Sequence, residues 1–387
     1  MQKLFNGPFW SRGFRPFFFG GAIYAVLSIL TWGMFYAGIL EISSPFDSLV
    51  VWHAYEMIFG FAMAIVAGFL LTAVANWTGS SPVRRTHLFV LFLLWVSGRI
   101  FMNLSLGVPT WFIMFVELAF IPLLAISIAV PMFRMKNKRN FIFLLLLTLL
   151  FIAKGFVFIY ESKSFIYVAL IMILAMVSLI GGRIIPAFTV ASLRRQGKEV
   201  FQVAQPKKDL LSFVSLLLVA GYFAFELSHT YLFVVSLFSA IIHLWRMKYY
   251  QTKQILNDSL LWILHLGYLW LVVGLFLLSS VGLGYVELSA VTHAFTVGCI
   301  GSMILGMICR VTLGHTGRDL QVSGLTTCSF YLLQIAVLIR VFIPMVMPEL
   351  LLECILVSAL LWCACFVLYL YKYGVFLFQN RPDLQEN

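Results

Sequence analysis

Six ionisable side chains interrupt stretches of this chain that are otherwise apolar: His53, Glu56, Arg99, Glu117, Lys154 and His293. In hydrocarbon a charged group costs roughly 3 kcal/mol or more unless it is paired or put to use. At about 1.5 Å per residue from the start of each span, His53 and Glu56 fall roughly 5 and 9 Å below the outer surface. Arg99, Glu117, Lys154 and His293 fall roughly 10–12 Å below it. Five helices therefore bring ionisable groups to one layer in the outer half of a membrane. Arg99 and Glu117 stand at matched depth on adjacent antiparallel helices, where an ion pair is the plain expectation. Glu56 follows His53 by three positions on one helical face, with Met57 and Gly60 continuing it. Lys154 is near enough to its helix end for its ammonium to reach the interface.

Histidine in such a layer suggests ligand chemistry. Neutral imidazole binds haem iron and copper and brings no charge into the bilayer. A haem b between helices needs two histidines at similar depth on different spans, and His53 with His293 meets that requirement. His265 with His315 is a looser inner pair, because His315 falls just past the end of its span. Cys299, Met303 and Met307 lie further along the same span at four-residue steps from one another, and with His293 they fall within one sector of roughly 120°. Soft sulfur beside imidazole suits copper, which makes His53, His293, Met303 and Met307 candidate metal ligands, although a methionine stripe is also ordinary packing. Cys363 and Cys365 point apart on a helix, and no disulfide framework is implied. His87, His229 and His243 are expected at the membrane interface. Alternatively, Glu56, Arg99, Glu117 and Lys154 form the proton or anion site of a transporter for a small solute or metal. In a third reading these charges only staple helices together in a scaffold protein.

The elements that must position these residues follow from composition. Of 387 residues, 62% are hydrophobic and 11% charged, with 26 Lys and Arg against 15 Asp and Glu. Soluble proteins carry about 25% charged residues. An ordinary cytosolic enzyme, a disordered chain and a disulfide-stapled secreted domain are thereby excluded. The fold class expected is all-α, a polytopic membrane protein forming one integral membrane domain over residues 1–387. Twelve spans are expected at approximately 17–40, 50–75, 86–106, 109–133, 140–160, 164–190, 209–226, 229–245, 258–281, 285–312, 322–345 and 349–378. The pair 209–245 could instead be one broken hairpin. No segment outside the spans leaves room for a soluble domain, and the first span is too long for a signal-peptide core.

Apart from Arg99, Lys154, Lys163 and Arg340, all of the 26 basic residues fall on one side of this arrangement. The opposite loops carry Glu41, Asp47, Glu161, Glu226, Glu287 and Glu349. By the positive-inside rule both termini are cytoplasmic. The net charge of +11 then records orientation, and nucleic acid is not an expected partner.

Several strings resemble the NnrS family: RGFRPFFF at 12–19, WHAYEMIFGFAMAIVAGFLLTAVANWTG at 52–79, GGRIIPAFT at 181–189, HLGYLW at 265–270 and RVTLGHTGR at 310–318. The resemblance runs in order from residue 12 to about 320. It implies a bacterial twelve-span protein of the inner membrane, containing haem and copper and linked to nitric oxide and nitrosative stress. It also implies that His53, Glu56, His265, His293, Arg310 and His315 occupy family positions. Family members commonly have histidine where this chain has Tyr55, so a ligand role for that histidine does not carry over. An adjacent histidine pair, as in haem–copper oxidases, is absent from the sequence. A binuclear centre of that kind is not expected. Neither a catalysed reaction nor an oligomeric state is indicated.

Overall fold

The computed structural model describes residues 7–383; Lys3, counted above with the basic residues, lies outside them. Among the described residues twelve helices are long and apolar enough to cross a membrane. In chain order they are α1 (Phe14–Tyr36), α2 (Leu49–Thr78), α3 (Arg85–Asn103), α4 (Thr110–Arg134), α5 (Lys138–Tyr160) and α6 (Lys163–Arg195). They continue with α7 (Pro206–Phe225), α8 (His229–Met247), α9 (Ser259–Gly282), α10 (Leu288–His315), α11 (Gly324–Val346) and α12 (Pro348–Phe378). A helix satisfies the backbone groups of such an apolar run within the run itself, without water.

Local signals set the ends. Ser48 caps α2 by accepting from the Val51 amide, and Ser228 caps α8 by accepting from Tyr231. Gly79 closes α2 in the left-handed conformation, at φ +63°. The expected weak pair at 209–245 is a true hairpin, with α7 and α8 joined through residues 226–228. α10 runs further than its hydropathy implies and ends at His315, so that residue is helical and not in a loop.

Two helices carry a π-helical stretch in their interior. Glu56–Ala62 in α2 and Ala294–Gly301 in α10 are π-helical, each holding an extra residue in the turn.

The described chain forms two compact units. The first comprises the residues up to Ala169, with Ile308–Leu320 and the segment from Phe366 onward. The second comprises Leu170–Met307 and Gln321–Cys365. In the first, Arg15 near the start of α1 donates to the carbonyls of Leu377 and Gln379, both at 2.8 Å. It thereby supplies donors that the end of α12 otherwise lacks.

Candidate functional site

The first unit holds a buried charge network built from α1 to α5. Arg99 of α3 is its centre. Its Nη2 lies 2.6 Å from Glu117 Oε1 of α4, and its Nη1 donates to Glu56 Oε2 of α2. Lys154 of α5 reaches Glu117 twice, with its Nζ 2.8 Å from Oε2 and 2.6 Å from the backbone carbonyl. Tyr55 donates to Glu117 Oε2 at 2.6 Å, and Tyr24 of α1 donates to Glu56 Oε2. Asn103 joins Tyr24 Oη at 3.0 Å to the Arg99 carbonyl at 2.7 Å. Two carboxylates face two cations, so the charge closes to zero.

Backbone details make room for these groups. A Cβ on Gly98 would stand 2.0 Å from Glu117 Oε1. One on Gly60 would stand 2.6 Å from Arg99 Nη1 and 2.8 Å from Glu56 Oε2. Glu56 opens the π segment, and the Gly60 carbonyl within it accepts from Trp95 Nε1 at 2.9 Å.

The two carboxylates are not equivalent. Both Glu117 oxygens are engaged, whereas Glu56 Oε1 is buried with no hydrogen-bond partner. Glu56 is the one carboxylate of the pair able to take or release a proton without dismantling the network.

Lys154 corrects the sequence reading. It does not reach an interface but is buried, with its ammonium 5.5 Å from the ring centres of Tyr55 and Phe59. Cation–π contact and the Glu117 carboxylate together hold it inside. Tyr24 and Asn103 were not legible as members. The one available signal was Asn103 four residues after Arg99, on the same helical face.

The histidines divide between the units. In the first, His53 stacks on Trp32 with centroids 4.4 Å apart and planes 7° apart. His315 packs beside Phe14, centroids 5.6 Å apart. In the second, His293 Nδ1 bonds the Ser289 carbonyl at 2.7 Å. His265 has both ring nitrogens engaged by hydroxyls, Nε2 by Thr189 and Nδ1 by Thr252, each at 2.9 Å. Arg310 is buried near the C-terminal end of α10, in the first unit. Met303 is packed tightly, since a Cβ on Gly267 would lie 3.0 Å from its Cγ and one on Gly181 3.2 Å from its Cε. Met307 and Cys299 are also buried. Among the described residues no three His, Cys, Asp or Glu side chains converge as a metal site.

His243 departs from expectation. It is fully buried, not interfacial, because Tyr268 and the guanidinium of Arg246 form a polar interior around it. His87 and His229 are exposed, as interfacial residues would be.

Twelve helices long and apolar enough to cross a membrane define a multi-pass membrane protein, and in its first unit the buried charges are paired with one another. A family profile described as NnrS protein matches residues 8–381, nearly the whole chain. The chain belongs to the NnrS family. No curated protein gives a significant match.

Proposed function

We propose that this protein is a haem-bearing protein of the bacterial inner membrane that acts in the nitric oxide response, with His53 and His293 as the foremost ligand candidates. One observation carries the reading. Each histidine stands at the outer end of its helix at the entrance to a π-helical segment, which begins three residues after His53 and directly after His293. Such segments recur at functional sites because they re-aim side chains and free backbone groups.

The ring of His293 fits a ligand. Its Nδ1 donates to the Ser289 carbonyl, the orienting bond that metal-ligating histidines usually make, and the lone pair then sits on Nε2. Trp32 fixes the plane of the His53 ring. Haem iron held in this way would supply a centre that binds a diatomic gas. His265 is a poorer ligand, since ligation would break one of its two hydroxyl bonds. His315 keeps its place as a candidate through the family position. Copper bound by His53, His293, Met303 and Met307 is the lesser part of the proposal, because Met303 already fills the space over Gly181 and Gly267.

Purified protein in lipid nanodiscs tests this. The expected result is a Soret band that shifts on exposure to nitric oxide and is lost or displaced in His53→Ala or His293→Ala. Absence of haem, or a band indifferent to both substitutions, would overturn it.

A proton-coupled transporter of a small solute or metal is the second reading. The bare Oε1 of Glu56 favours it, beside Arg99 and Glu117. Uptake into proteoliposomes that disappears in Glu56→Gln, with no bound haem, would select it.

A further inference from the structure

The second unit contains a polar seam that none of the proposed chemistry uses. It lies between α7 and α8. On α7, Asp209, Ser212 and Ser215 follow at three-residue steps; on α8, Ser236, Ser239, His243 and Arg246 follow at steps of three and four. These spacings put each set on one helical face. All seven are buried except Asp209, whose side chain is 40% exposed. From Arg246 to Ser236 the seam runs roughly 15 Å into the helix bundle at 1.5 Å per residue.

Part of the seam is fully bonded. Arg246 Nη2 lies 2.6 Å from Asp209 Oδ1, and its Nη1 donates to the Ser178 carbonyl and to Tyr268 Oη, each at 2.9 Å. Gly182 lets the guanidinium lie against α6, for a Cβ there would be 1.7 Å from Nη2. Tyr268 Oη is 2.8 Å from His243 Nδ1. Where Tyr268 donates to Nδ1, the imidazole proton stands on Nε2. Ser215 and Ser239 meet across the seam at 2.9 Å.

The rest is not bonded. Ser212 Oγ, Ser236 Oγ and His243 Nε2 are buried with no hydrogen-bond partner, and so are Tyr250 Oη and Gln205 Oε1 nearby. The His243 ring also lies beside the Ser212 backbone. Five such orphaned atoms belong to this one region. Buried polar groups are nearly always satisfied, and a cluster of exceptions points to a missing partner.

We propose that the α7–α8 seam is a hydrated site: a short file of internal water that enters beside Asp209, at the basic-loop end, and bonds Ser212, His243 and Ser236. Water supplies both donors and acceptors, which suits hydroxyls together with an imidazole N–H; a metal ion or an anion satisfies only one kind. Through this file the ring proton of His243 exchanges with the aqueous phase.

Hydroxyl-radical footprinting of the full-length protein in nanodiscs tests the water, because radicals born from internal water label adjacent side chains. His243, Tyr250 and Tyr268 are expected to be labelled several-fold faster than Tyr369 and Tyr373, which are similarly buried in the first unit. Labelling no faster than Tyr369 would overturn the proposal. Ser212→Ala and Ser236→Ala give an independent measure. In a dry seam each removes an unsatisfied hydroxyl and raises the unfolding temperature; in a hydrated one neither does, and no rise is expected. Finally, the His243 ring proton, assigned by its loss in His243→Gln, should exchange with D2O within minutes in solid-state NMR. Persistence for hours would count against access from the aqueous phase.

Discussion

At the residue scale the chemistry of the first unit rests on unequal sharing of Arg99. Glu117 accepts from Arg99, Lys154 and Tyr55, and is the carboxylate that two buried cations depend on. Glu117→Gln keeps the shape but leaves one cation without its counter-charge. Breaking a buried pair this way costs about 3–5 kcal/mol. The expected outcome is a large fall in thermal midpoint in detergent, read by loss of the monodisperse elution peak. Gly98→Ala acts on the same carboxylate by crowding it, and overpacking of this kind costs about 1–3 kcal/mol. A Gly98→Ala protein as stable as the parent would show that α3 and α4 can separate without loss. Hydropathy and depth make Arg99 and Glu117 legible as neighbours. They do not make Lys154 legible as a third member, because a lysine near a helix end reads equally well as an interfacial one. Its burial is decided by the rings of Tyr55 and Phe59, which come from another helix.

At the element scale the spans were legible because a bilayer demands long apolar runs, while their irregularities were not. Nothing in EMIFGFA or AFTVGCIG separates a π turn from an α turn by composition. The π segment of α2 begins at Glu56, the residue that pairs with Arg99. Deleting Ile58 should restore α geometry and rotate Glu56 by about 100° relative to the inner half of α2. The Arg99 pairing would then fail, and stability would drop further than in Ile58→Ala, where the register is kept. Equal losses in the two variants would mean that the π segment has no positioning role. Arg15 acts on an element in another way, tying the last carbonyls of α12 to the start of α1. Hydrogen bonds to a charged donor contribute about 1.5–3 kcal/mol. Arg15→Met should therefore loosen the end of α12, measured as faster proteolysis after Phe378, with Arg15→Lys restoring only part of the protection. Before the structure, Arg15 read only as one more basic residue on the loop side.

At the scale of the whole molecule the charges do two separate jobs. Within the apolar spans several are ion-paired, Arg99 with Glu56 and Glu117, Lys154 with Glu117, and Arg246 near the C-terminal end of α8 with Asp209. Outside the spans they are unbalanced, with nearly all basic residues in the loops of one side and acidic residues prevailing in the others. Insertion reads the second set. Loops rich in Lys and Arg stay in the cytoplasm, and twelve spans return the chain to the side on which it began. The inference depends on the number of spans being even, and the α7–α8 hairpin is where the sequence left that number open. With α7 and α8 separate helices, the loops rich in Lys and Arg all fall on one side. Fluorescent-protein fusions to each end should therefore both fluoresce, and alkaline-phosphatase fusions at the same points should both be inactive. A phosphatase-active C-terminal fusion beside a fluorescent N-terminal one would require an odd number of crossings. The hairpin would then be the first place to look, and the water file proposed between its helices could not open toward the basic side.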